Sequence, residues 1–225
     1  MLVGGVDEAG RGPVLGPLVI CGAIFPEDAI EKLEAAGVHD SKQLTRGNRE
    51  ALVPIIKQLA VDHELVVLEA RDINVAMAKK TSLNDIEVEG FARAVNALVA
   101  RNGPAMKVWM DAADVNPVRF KDKVGRLLVK DVPLEAMHKA DETVIAVGAA
   151  SIIAKCARDA AIESLQEKHG DLGSGYPSDP KTRGFLKAYR LQHGKFPPFA
   201  RKRWETLREL EKELGLPPPG QSRLF

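Results

Sequence analysis

The stretch Leu18 to Phe25, LVICGAIF, carries no charged side chain and is bounded by Pro17 and Pro26. It is far shorter than a membrane span and offers no polar face, so it reads as a strand covered on both sides. Leu2 to Val6, a second near-continuous apolar run, reads the same way. A doubly covered strand requires layers above and below it, and this restricts the chain to an α/β arrangement or a closed β one.

The remaining sequence supplies helices. Pro26-Glu27-Asp28 opens one with Ile30 and Leu33 on its apolar face and Gly37 at its end. Thr45 is placed to cap another, which carries Leu52, Ile55, Ile56 and Leu59 at helical spacing. His63 to Ala70 is strand-like. Thr81-Ser82-Leu83-Asn84 starts a long helix with Ile86, Phe91, Val95, Leu98 and Val99 inward, ended by Asn102-Gly103-Pro104. Lys107 to Met110 is a strand running into Asp111. A helix through Phe120, Val124 and Leu127 follows, then a strand from Leu134 to Met137. From Asp141 an Ala-rich helix runs through Val144 to Ala157 and on towards Lys168. Gly170 to Pro180 is turn-rich, and two helices follow near Thr182 to His193 and Lys202 to Leu214. The alternation predicts an α/β layered core over residues 1–172 and a helical C-terminal appendage over residues 173–225.

Apolar residues form 45% of the 225 and charged ones 28%, an ordinary soluble composition. No basic segment precedes an apolar one at the N-terminus, which argues against a signal peptide and for a cytoplasmic protein. Cys21 and Cys156 lie in small apolar surroundings and read as reduced core thiols without metal-ligand spacing.

Four acids fall at strand ends, where α/β proteins collect functional groups. Asp7 and Glu8 follow the first strand, Asp111 a later one, and Asp141 the last. Each has a plain local reading: Asp141 as a helix cap, Asp111 as a turn residue, with Asp114 as a cap for the next helix. Adjacent Asp7 and Glu8 face opposite sides of a continuing strand, so both serve one site only if the strand breaks or twists there. Gly10 and Gly12 make such a break plausible. Carboxylates gathered together repel and raise one another's pKa, and oxygen-only donors favour hard ions such as Mg²⁺ or Mn²⁺.

The net charge is +1, so any electrostatic function depends on placement. Between Ser174 and Arg208, nine basic residues (Lys181, Arg183, Lys187, Arg190, Lys195, Arg201, Lys202, Arg203, Arg208) face only Asp179 and Glu205. The segment balance is +7 and the remainder −6, so an acidic body carries a basic arm suited to phosphate backbone or simply a solvated helical face. Tyr176, between Gly175 and Pro177, is placed either to stack on a sugar or base or to plug its loop onto the core.

GVDEAGRGPVLGPLV, DSKQL, TSLN, DAADV, HKADE, AASIIAK and GSGYPSDP occur in this order, and together they closely resemble ribonuclease HII, most nearly its archaeal members. The resemblance runs from Val3 to Glu209. It implies a ribonuclease H-like mixed five-stranded sheet flanked by helices, with a small helical C-terminal appendage that binds substrate. It implies a monomeric divalent-metal endonuclease that cleaves RNA in RNA/DNA hybrids and nicks 5′ of single ribonucleotides embedded in duplex DNA. By motif, the metal-binding catalytic acids are Asp7, Glu8, Asp111 and Asp141, holding two Mg²⁺ or Mn²⁺ ions with Asp7 shared. A metal-activated water would leave 3′-hydroxyl and 5′-phosphate ends. Gly10, Arg11 and Gly12 fall on the segment that senses the ribose 2′-OH, and Tyr176 on the tyrosine against the adjacent sugar. Lys42 falls on a phosphate contact, with Asn84 and Lys139 as site neighbours.

The tail departs from this pattern. Archaeal members often end in a sliding-clamp peptide of Gln, two residues, an aliphatic, two residues and aromatics. Here Gln221 is followed by Leu224 and directly by Phe225. Two readings stay open, a flexible non-binding tail and a weak clamp contact. Ribonuclease HIII shares the chemistry and usually adds an N-terminal domain, which disfavours it here. A non-catalytic hybrid-binding protein with a structural ion is the rival of a different class.

Overall fold

The computed structural model describes residues 1–38 and 44–216. Lys42 and the tail residues Gln221, Leu224 and Phe225 lie outside them. Strand β1 (Leu2–Ala9) leads to β2 (Leu18–Pro26), helix α1 (Glu27–Ala35), α2 (Arg46–Leu59) and β3 (Asp62–Leu68). Then come α3 (Ala70–Ala78), the long α4 (Leu83–Asn102), β4 (Met106–Asp111), α5 (Pro117–Gly125) and β5 (Leu134–Met137). A single-turn α6 (Ala140–Thr143) precedes α7 (Ile145–His169), and α8 (Pro180–His193) and α9 (Glu205–Glu213) complete the order.

The strands form one mixed sheet in the order β3-β2-β1-β4-β5, antiparallel from β3 to β1 and parallel from β1 to β5. This is the five-stranded arrangement the resemblance implied. All of β2 but Pro26 is buried, as its unbroken apolar run requires. One face packs under α4 and α5, where Phe91 and Phe120 meet edge to face at 5.1 Å. The other face packs under α1, α2 and α7. Full burial of each Leu, Ile or Phe in these layers contributes roughly 1.5–3 kcal/mol.

The Ala-rich face of α7 lies against β1 through Ala146, Ala149, Ala150 and Ala154. Approach is so close that a Cβ on Gly5 would stand 2.1 Å from the Ala146 backbone. Only glycine fits there, and any larger residue would push α7 off the strand that carries Asp7. Thr45 caps α2 through its hydroxyl, as its position suggested, and Ser82 caps α4 in the same way.

Several boundaries differ from the sequence expectation: β1 runs to Ala9 rather than Val6, and the helix expected from Asp141 is split into α6 and α7. Ala70 starts α3 rather than ending β3, because the chain turns at Glu69 and only Ala70 and Ile73 of the new helix are buried, too sparse a periodicity to read. Leu127 lies past the end of α5. The last helix begins at Glu205, after a turn in which the Lys202 backbone N–H donates to Asn74 Oδ1 at 2.7 Å. Cys21 is buried and Cys156 half-buried, both free.

A third core lies beside the sheet. Val14 and Leu15, just after β1, pack with Leu172, Leu186, Phe199, Leu207 and Leu210, and Leu15 bridges to Ala200. The C-terminal helices are thus anchored on the segment that follows Asp7 and Glu8. Among the described residues no helix is long and apolar enough to cross a membrane.

Candidate active site

Parallel strands β1, β4 and β5 end at the same edge. Pairing of β1 with β4 stops at Val6 and Met110, while β1 runs on beside β2 to Ala9. Asp7 and Glu8 therefore project past their parallel neighbour into the crevice that opens beyond strand carboxyl ends. Asp111 is the last residue of β4. Asp141 is the second residue of α6, which follows β5 after Lys139 adopts a left-handed φ of 58°. One carboxylate oxygen each from Asp7, Asp111 and Asp141 lies within 4.8 Å of the others.

Neither plain local reading of these acids holds. Asp141 does not cap the long helix, whose N-cap is Val144. Asp111 is a strand residue that accepts from the Ala140 N–H at 3.1 Å, tying β4 to α6. Asp114 does not cap α5 either; Asn116 does, and Asp114 is held by Arg119 and the Asn116 N–H.

The cluster is acidic and largely buried. Asp7 and Asp141 are 4% and 3% exposed. Burial pushes Asp7 well above the ordinary carboxylate range, and Glu8, Asp111 and Asp141 add repulsion while a Ser151 hydrogen bond opposes it. The Glu8 N–H donates to Asp7 Oδ1 at 2.7 Å, and Lys155 Nζ stands 3.8 Å from Asp141.

Glu8 stands outside the group of three. The strand does not break at Asp7, so the two side chains face opposite layers. Glu8 is turned towards α4, where burial first and then Glu87 and Asp111 push it up to about 8, with Arg11 opposing. Its Oε2 is buried without a hydrogen-bond partner among the described residues. Clustered carboxylates, with Asp7 and Glu8 raised in proton affinity, an orphaned carboxylate oxygen and an all-oxygen donor set fit a hard divalent cation better than zinc, whose sites favour His and Cys.

Residues 10–12 form the adjoining wall. Gly10 has φ +89°, and a Cβ there would meet the Pro17 carbonyl at 2.7 Å. Arg11 turns inward as a brace, bonding Glu87 at 2.7 Å, the Ala113 carbonyl at 2.7 Å and Asn84 Oδ1 at 2.8 Å. Asn84 therefore reaches the site through Arg11. Tyr176 is 41% exposed, with its ring near Gly12 and the Arg158 guanidinium 5.2 Å from the ring centre. A cleft of about 400 Å³ joins Glu8 and residues 10–12 to Tyr176 and to Arg49, Lys155 and Arg158. Lys139 points to Glu142 at 3.4 Å on the exposed surface.

Several residues of this site escaped the sequence. Arg49, Ser151, Lys155 and Arg158 come from α2 and α7, and their convergence needs the helix packing. Glu87 follows Asn84 by three positions, so helical spacing could have put both on one face. Arg201 was only one of nine basic residues.

Residues 4–207 match the family model described as Ribonuclease HII. The ribonuclease HII of Thermococcus onnurineus is 46% identical over 214 residues, covering 95% of this chain and 92% of the relative. The crystal structure of ribonuclease H2 from Pyrococcus horikoshii superimposes with TM-score 0.87 at 45% identity, covering 96% and 99% of the two chains. The structure of a PCNA:RNase HII complex from Archaeoglobus fulgidus matches with TM-score 0.80 at 36% identity, over 91% and 95%.

Proposed function

Because the chain belongs to the ribonuclease HII family, metal-dependent endoribonucleases acting on RNA/DNA hybrids, we propose a finer activity for it: nicking duplex DNA 5′ of a single embedded ribonucleotide. The observation that carries this reading is one cleft in which Glu8, residues 10–12 and Tyr176 meet beside the acid cluster. A minor groove laid there presents its 2′-hydroxyl to the backbone of residues 10–12, where Gly10 and Gly12 add no side chain of their own between groove and chain.

Asp7, Glu8, Asp111 and Asp141 would hold the metal. Two Mg²⁺ or Mn²⁺ ions, when bound, supply an activated water and stabilise the departing 3′ oxygen, giving 3′-hydroxyl and 5′-phosphate ends. Ser151 hydrogen-bonds Asp7 and favours its charged form against the stronger pull of burial. Lys155 and Arg158 place positive charge where the scissile strand would run, and Lys42 adds a phosphate contact. Tyr176 stacks on the neighbouring sugar, held by Arg158.

The C-terminal region, residues 173–225, serves as the substrate-binding arm. Lys195, Lys202 and Arg203 line a groove of about 580 Å³ with Phe196 and Leu207, and we assign them to the phosphate backbone. The Archaeoglobus complex with PCNA supports a weak sliding-clamp contact of the tail through Gln221, Leu224 and Phe225.

The deciding experiment incubates a duplex holding one ribonucleotide with Mg²⁺, Mn²⁺ or EDTA. We expect one metal-dependent nick with an extendable 3′ end. Cleavage of an RNA/DNA hybrid without any nick at the lone ribonucleotide would overturn the finer activity.

A further inference from the structure

The chain between α8 and α9 grips the loop formed by residues 10–12. Arg201 is 0% exposed. Its guanidinium donates to the carbonyls of Gly10 at 2.6 Å, Arg11 at 3.0 Å and Gly16 at 3.1 Å. Trp204 Nε1 donates to the Gly12 carbonyl at 3.0 Å, and its ring centre lies 5.0 Å from the Arg201 guanidinium. The backbones are tied as well: Arg201 N–H donates to Val14 and Gly16 N–H to Phe199. All three carbonyls of residues 10–12 are thus held by two side chains about 190 positions further along the sequence.

A buried guanidinium is an expensive way to fill space, since an apolar side chain of similar volume packs without desolvating a charge. A planar fork offers what an apolar group cannot, a fixed spacing between several carbonyl oxygens. Burial lowers Arg201 to about 10, Arg158 acting the same way and Glu87 against it, so the fork keeps its charge and donors at neutral pH. The loop is meanwhile fixed to the catalytic body by Arg11 through Glu87, Asn84 and Ala113. Residues 10–12 follow Glu8 with one residue between, so any slip of the loop moves the substrate relative to the acids.

We propose that Arg201 and Trp204 are positioning residues: by fixing the carbonyls of residues 10–12 they set which phosphodiester is presented to the acid cluster. This rests on the reading of residues 10–12 as the ribose-sensing loop. In this role neither side chain needs to touch substrate; the C-terminal region governs cleavage register through the loop.

The test uses full-length Arg201→Lys, Arg201→Gln and Trp204→Phe. Lysine keeps the charge but cannot span three carbonyls, and phenylalanine keeps a ring but lacks the N–H donor. Each protein is given Mg²⁺ with an RNA/DNA hybrid and with a duplex holding one ribonucleotide. Products are mapped to the nucleotide, and thermal melting reports the folded fraction. Arg201→Lys is expected to melt cooperatively, lose about ten- to a hundredfold in kcat, and spread its hybrid cuts to neighbouring phosphates. Trp204→Phe is expected to show the same spread with about a threefold loss. Folded variants with the parent's kcat and cut positions overturn the inference. So does a loss in the Arg201 variants that only tracks the folded fraction while Trp204→Phe cuts as the parent does. A parent that cleaves the hybrid but not the lone ribonucleotide removes the finer activity, and the hybrid arm still decides the positioning role.

Discussion

At the ends of β1, β4 and β5, three carboxylates are gathered within 4.8 Å with Glu8 close behind them. On α8 and α9, carboxylates and cations alternate instead: Arg183 reaches Glu213 at 2.6 Å, Lys187 reaches Glu213 at 2.7 Å, and Arg190 reaches Glu211 at 3.2 Å. The acids of the two regions are displaced in opposite directions. Asp7 and Glu8 are raised by burial and mutual repulsion, whereas backbone and hydroxyl bonds from Ser174 hold Asp179 down at about 2. The first region is incomplete without added positive charge; the second has neutralised most of its own. The local balance of +7 therefore overstates the free charge of the arm. Lys181 also pairs with Asp171 and Arg208 with Glu205, Arg201 is buried against backbone carbonyls, and among the described residues only Lys195, Lys202 and Arg203 of the nine are neither ion-paired nor buried.

The sharpest way to break this contrast is Asp7→Asn. Removing one carboxylate from the cluster is expected to lower hybrid cleavage more than about a hundredfold while duplex binding survives. The same variant sharpens the comparison through pH. A carboxyl raised in the folded state contributes stability below its unfolded pKa and loses it as pH rises through the folded value. Glu8, moving from 4.5 to about 8, and Asp7 thus make the metal-free protein less stable as pH climbs from about 4.5 to 8. In EDTA, the melting temperature of Asp7→Asn should fall less over that window than the parent's, and Mg²⁺ should flatten the parent's curve. Full turnover by Asp7→Asn would remove Asp7 from the chemistry.

Tyr176→Ala comes next in size. Loss of a stacking platform worth about 1–3 kcal/mol should cost roughly tenfold or more at a single embedded ribonucleotide and less within an RNA tract. Equal losses on both substrates would argue against sugar sensing. The smallest effect is expected from Lys195→Ala, Lys202→Ala and Arg203→Ala combined, which should weaken duplex binding several-fold and flatten its salt dependence by about one unit of slope per lost phosphate contact. An unchanged slope would leave the groove as a surface feature only.

How much of this was legible in the chain depends on the range of the interaction involved. Local signals were reliable: the double-sided apolar run of β2, the hydroxyl cap at Thr45, and the punctuation by Gly and Pro describe most elements. The motif order implied the family and pointed to Asp7, Glu8, Asp111 and Asp141, because acids at strand ends are local features of the sequence. The sparse face of α3 and the true start of α9 were not legible, since tertiary contacts at Asn74 and beyond decide them.

Sequence by itself determined the layers, the strand-end acids and the glycines that keep bulk from the loop, because burial periodicity and steric freedom are properties of neighbouring residues. Only the tertiary structure decided that Asp7 and Glu8 face different layers, that Arg11 braces rather than reaches outward, and that Arg201 lies beneath the loop. Charge counted along a chain says nothing about pairing in space; desolvation and the partner within a few ångströms set whether a carboxylate or a guanidinium is spent internally or left for a ligand.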